Sequence, residues 1–250
     1  MNDSTSSPAT PARTSRASRW NLEWWAAFSS IPFSVLLLLQ DVIRGTPPRP
    51  DDTPLEIRDY YADHRVVILL AWLILAVATV LFFFWLASLW RAMRLAEGGP
   101  SWLATLAIAG GISGTATTLL GTTFAAAAAH RAAGEDPLEP TLARTLFDLS
   151  GPVSIGWIGF VVIQLAVILA IWRTALYPGW VAWFAAGLIV LWFIQAWPTP
   201  QTAGTGTTAA LDYTGIAAII LTLAWIIVIG VIEMKKARAE AAAVAAAPTS

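Results

Sequence analysis

The sequence predicts an all-α, polytopic membrane protein: six transmembrane helices in a bundle, with both termini in the cytoplasm. Three features predict it. Of 250 residues, 57% are hydrophobic and 12% charged, about half the charged share of a soluble domain, and the mean hydropathy is +0.64. Six segments approach or reach the roughly 20 apolar residues that cross a hydrocarbon core. The basic residues also gather at alternate ends of those segments.

Residues 1–19, rich in Ser, Thr, Pro, Ala and Arg with no apolar face, read as a disordered cytoplasmic N-terminus. The transmembrane domain covers 20–238 and an Ala-rich cytoplasmic tail 239–250. The spans fall at about 22–43, 66–90, 102–129, 153–172, 180–197 and 213–234. No small-residue cleavage site lies at Gln40-Asp41-Val42-Ile43-Arg44, so the first span reads as uncleaved. It contains Pro32, which should kink it.

With the N-terminus inside, the inner segments hold Arg13, Arg16, Arg19, Arg91, Arg94, Arg173, Lys235, Lys236 and Arg238, nine basic residues against six outside. Acidic residues divide five inside and eleven outside. Basic loops stay cytoplasmic, and Trp20, Trp24, Trp25, Trp90, Trp102, Trp172, Trp180 and Trp183 would mark the inner headgroup level. Inner connections are tight, with a turn at Glu97-Gly98-Gly99-Pro100 and a type II turn expected at Tyr177-Pro178-Gly179. Outer connections are longer, and each should hold a short helix. Thr53-Pro54-Leu55-Glu56 has capping-box spacing, and Leu142, Leu146 and Leu149 form an apolar stripe suited to the outer surface. The Trp90-Arg91 and Trp172-Arg173 pairs suggest a repeated hairpin, although any hairpin places Trp and Arg at the inner interface.

The third span carries Gly110, Gly114, Thr118 and Gly121 on one small-residue face, spacing that lets helices approach closely. Helix packing is the simpler reading, and a polar cavity lined by the threonine hydroxyls is the alternative. Gly111-Ile112-Ser113-Gly114 matches the GxSG of rhomboid intramembrane proteases. That chemistry needs a histidine within the membrane to activate the serine, and neither His64 nor His130 lies there.

His64 and His130, with Asp63 and Glu135 near them in sequence, are the one combination able to hold a divalent metal, although solvated interfacial histidines are the simpler account. Polar side chains inside the spans reduce to Gln164, Gln195 and, at the outer end of the first span, Gln40 and Asp41. Buried ionisable groups of the kind that coupled pumps require are missing from the span centres. No cysteine is present, paired intramembrane histidines for haem are lacking, and a net charge of −1 offers no field for nucleic acid. No cofactor is expected, and the partners expected are the lipid bilayer, another membrane protein, or a second copy.

Five stretches carry a family resemblance: Pro47-Pro48-Arg49-Pro50-Asp51-Asp52, residues 57–65, Arg94-Leu95-Ala96-Glu97-Gly98-Gly99, residues 143–149, and residues 173–183. Over roughly residues 45 to 195 the chain resembles uncharacterised six-helix integral membrane proteins common in actinobacteria. The resemblance implies six spans and a bacterial plasma membrane; it implies no activity. Such proteins usually have arginine after the proline at Pro178, where this chain has Gly179. The reading that follows is a non-enzymatic binding, sensing or scaffold protein with acidic outer loops. A small permease for an apolar or weakly polar solute comes second, and a membrane enzyme third.

Overall fold

The computed structural model describes residues 22–132, 138–153, 156–196 and 207–246, and every element among them is helical. In chain order these are α1 (Leu22–Arg44, interrupted at Ser29), α2 (Pro54–Asp63), α3 (Arg65–Glu97) and α4 (Trp102–Ala132). They continue as α5 (Pro140–Val153), α6 (Trp157–Thr174), α7 (Gly179–Ala196) and α8 (Thr207–Ala246). Five of them, α1, α3, α4, α6 and α8, are long and apolar enough to cross a membrane, and α7 is apolar but shorter. The outward faces fit a bilayer as solvent. Leu73, Val77, Val80 and Phe84 on α3 are all exposed, an apolar surface that water would penalise.

The long helices form a closed ring, α1 on α3, α3 on α4, α4 on α6, α6 on α7, α7 on α8, and α8 back on α1. Helix α3 also reaches α6 and α8 across the middle. Its buried stripe of Trp85, Leu86, Leu89 and Met93 meets Ile163 and Val167 of α6 and Ile226 and Ile229 of α8. Two ends can be told apart. Glu23, Arg91, Leu176 and Lys236 mark one, through the Arg91–Glu23 ion pair at 2.8 Å and Lys236 Nζ donating to the Leu176 carbonyl at 2.9 Å. Arg44, α2 and α5 mark the other, where Tyr60, Arg144 and the 44–53 loop meet.

Several local expectations are met and several are revised. The break in α1 falls at Ser29, one turn before Pro32, whose missing N–H leaves the preceding turn without a bond. Ser29, Ser30 and Ser34 return their hydroxyls to the Ala26, Ala27 and Ser30 carbonyls. The Pro-Gly turn is not type II, because Gly179 has no positive φ; the left-handed residue is Ala175, at φ 54°, and Pro178 accepts from the Val181 amide at 3.0 Å. Helix α3 passes Trp90 and ends only at Gly98, left-handed at φ 76°. Helix α8 continues to Ala246, taking most of the tail with it. Hydropathy ends a span where charge begins, but Ala, Arg, Lys and Glu continue a helix readily.

At the Arg44 end α2 and α5 fold over the end of α4 as a cap. Ile57, Tyr61, Ala128, Leu138 and Ala143 form its core, with Leu146 and Phe147 against it. The inward face of α5 is therefore Ala143, Leu146 and Phe147; Leu142 and Leu149 point outward. Helix α2 starts on a full capping box, Thr53 accepting from the Glu56 amide and Glu56 accepting from the Thr53 amide at 2.7 Å. These bonds from Thr53 hold the Glu56 carboxyl below the usual glutamate range. A depressed carboxyl stabilises the fold above its ordinary pKa, and that contribution fades as pH falls through the lowered value. Thr53→Ala is expected to cost about 1 kcal/mol, read as faster amide hydrogen exchange at residues 55–57.

Candidate functional site

The small-residue face of α4 is closed. A Cβ on Gly114 would meet the Gly156 carbonyl at 2.6 Å and the Gly159 Cα at 3.0 Å, and one on Gly110 would meet Val162 at 2.8 Å. Helices α4 and α6 thus touch backbone to backbone, with Gly110 and Gly114 against Gly156 and Gly159. Gly121 is buried on the same helix. The hydroxyls of Thr115, Thr117, Thr118, Thr122 and Thr123 all donate to carbonyls of α4 itself. No polar cavity lines this face among the described residues. Ser113 is exposed, and His130, 17 residues along the same helix, lies about 25 Å away.

At the Arg44 end the charged groups are used locally. Asp59 pairs with Arg58, Asp148 with Arg144 at 2.9 Å, and Asp41 with Arg44 at 3.3 Å. Asp52 accepts from the Arg49 amide, and Glu56 and Glu139 cap α2 and α5. His64 stacks on Tyr60, ring centroids 4.4 Å apart, with Nδ1 at 3.0 Å from the Tyr60 carbonyl. His130 is exposed. Among the described residues no three of His, Cys, Asp and Glu gather to hold a metal, Asp63 included, and Glu135 lies outside the described residues.

Inside the bundle, Gln164 is fully buried with neither amide atom hydrogen-bonded. The indole N–H of buried Trp85 is also unpartnered. Phe82 and Phe160 touch at 5.8 Å, so Trp85 and Gln164 lie one turn beyond that contact on α3 and α6. Gln195 is exposed and leans on Gly215 of α8.

Among the described residues, a cleft of about 450 Å³ opens at the Arg91 end, between α1, α3 and α8. Its wall is apolar, built from Ala26, Ala87, Ala92, Leu95 and Leu176. Its rim carries Glu23, Arg91, Glu233, Lys236 and Glu240. The Arg91 and Lys236 side chains are 46% and 40% exposed even while paired with Glu23 and Glu233; Lys236 donates to the Leu176 carbonyl as well, whereas the Arg91 guanidinium, with one nitrogen on Glu23, keeps further donors for a ligand. Lys236 sits 4.6 Å above the Tyr177 ring. Burial first, and then the Glu233 carboxylate, push the Tyr177 phenol well above its ordinary value, so it stays a neutral hydroxyl. Around this end Trp25, Trp102, Trp172, Trp180 and Trp183 are exposed, the position aromatic side chains take at headgroup level.

In the sequence Arg91 and Lys236 stand out only as inner basic residues, and Glu23 does not stand out at all. Their convergence has no local signal, because they lie on three helices far apart in the chain. Comparison with protein-family models, curated proteins and solved structures yields no match.

Proposed function

We propose that the chain is a non-enzymatic binding protein of the bacterial plasma membrane, with six crossings and both termini cytoplasmic, that takes an amphipathic ligand at the inner headgroup level. The cleft between α1, α3 and α8 carries the reading: an apolar wall under a charged rim, open at the level of the exposed tryptophans. Six crossings rather than five follow if α7 spans with its neighbours. Support comes from Gln195 meeting Gly215 near one end of α8 and Leu176, just before α7, meeting Lys236 near the other. The inner assignment of the Arg91 end rests on its basic residues and tryptophans. The likeness to six-helix actinobacterial proteins agrees with this reading and adds no activity.

A permease built on the Gly/Thr face of α4 is disfavoured, since that face is spent on α6 and its hydroxyls on their own helix. The outer acidic loops are the weaker binding surface, because most of their carboxylates are engaged in local bonds. Native mass spectrometry of protein purified in mild detergent tests the proposal. The expected result is a retained amphiphile that Ala87→Trp, which fills the cleft, displaces. Equal retention by that variant would refute the cleft as the site.

A further inference from the structure

We infer that the ligand of this cleft is a zwitterionic amphiphile bearing a phosphate and a primary ammonium, of which a phosphoethanolamine lipid is the bilayer source; the inference rests on the binding role proposed above. The rim holds three carboxylates, Glu23, Glu233 and Glu240, and two cations, Arg91 and Lys236. Glu23 and Glu233 are neutralised by ion pairs, whereas the Glu240 carboxylate is bonded to none of the described residues. A purely anionic headgroup would enter a rim that is already net negative, with Glu240 unopposed. A purely cationic one would leave the spare donors of Arg91 unused. A headgroup carrying both charges answers both: its phosphate takes those donors, and its ammonium, a few atoms away, reaches Glu240.

The ammonium should be primary. Quaternary ammonium groups are held by aromatic faces, and among the described residues no aromatic ring lines the cleft. A primary ammonium instead donates hydrogen bonds, and the Glu240 carboxylate is there to accept them. The tails would lie along the apolar wall at Ala26 and Ala87.

The test is a titration of delipidated, detergent-solubilised full-length protein with phosphatidylethanolamine, phosphatidylcholine and phosphatidylglycerol of identical chains, and with soluble phosphoethanolamine, read by native mass spectrometry. The ethanolamine lipid is expected to bind at least about tenfold more tightly than either other lipid, the factor that one charge-assisted hydrogen bond supplies. Glu240→Gln should remove most of that preference, and Ala87→Trp should abolish binding. Soluble phosphoethanolamine should bind far more weakly, because the wall then contributes nothing. Equal or tighter binding of phosphatidylglycerol or phosphatidylcholine, still blocked by Ala87→Trp, would overturn the headgroup assignment while leaving the binding role intact. Binding of no lipid, or binding indifferent to Ala87→Trp, would remove both.

Discussion

Leucine at Gly114 is expected to destabilise the bundle at or beyond the upper end of the roughly 1–3 kcal/mol that overpacking costs. The reason is what the new side chain meets. A single Cβ there already falls 2.6 Å from the Gly156 carbonyl and 3.0 Å from the Gly159 Cα. Both obstacles are backbone, so no rotamer change relieves them, and α4 must move away from α6 along its whole length. Separation would also open the fully buried Ala104 and Ala107, and Ile163 and Ala166 opposite them on α6. Leucine at Gly187 is the matched control, since nothing lies within 4 Å of a Cβ there. Thermal melts of the two variants in the same detergent check the difference: Gly114→Leu should melt far below the parent or fail to assemble, and Gly187→Leu should melt with it. Parental stability in Gly114→Leu would mean that α4 and α6 do not pack through these glycines.

Gln164→Leu is expected to act in the opposite direction, stabilising the protein by about 1–3 kcal/mol, the cost of leaving a buried polar group unsatisfied. Gln164 has no exposed surface and no partner for either amide atom. Leucine is close to it in size and carries no hydrogen-bonding demand, so the substitution removes the penalty without opening a cavity. The partnerless indole N–H of Trp85 adds to the same local deficit. A raised melting temperature for Gln164→Leu checks the account. A lowered one would show that the amide is bonded in the membrane, by water or by a rotated Trp85.

The parts of the fold legible in the sequence are those with a local period. Small residues at Gly110, Gly114 and Thr118 repeat every four positions, so the packing face of α4 could be read directly. Thr53 and Glu56 stand three apart, so the cap of α2 could be read too. Its partner seam was open to the same reading, since Gly156 and Gly159 stand three apart at the start of α6, but two glycines near a span end look like a turn. Helix ends beyond Trp90 and Lys235 were hidden because hydropathy measures where the bilayer stops, and α3 and α8 run past that level. The stripe of α5 was misjudged because Leu142, Leu146 and Leu149 satisfy a helical period equally well facing lipid or cap; contact with α2 selects Ala143, Leu146 and Phe147. The cleft could not be read at all. Glu23 and Arg91 are 68 residues apart and Lys236 lies a further 145 on, and only ring closure of α8 onto α1 brings them to one rim.

The central claim, a six-crossing bundle whose cleft opens at the cytoplasmic headgroups, stands or falls on where the chain's ends and loops lie. The absence of cysteines permits a direct measurement. Single cysteines at Asp51, Gly98 and Ala246 can be labelled in intact bacterial cells with a membrane-impermeant maleimide, before and after permeabilisation. The account predicts labelling of Asp51→Cys in intact cells, and of Gly98→Cys and Ala246→Cys only after permeabilisation. Labelling of Ala246→Cys in intact cells, with Gly98→Cys still protected, would mean an odd number of crossings and contradict it.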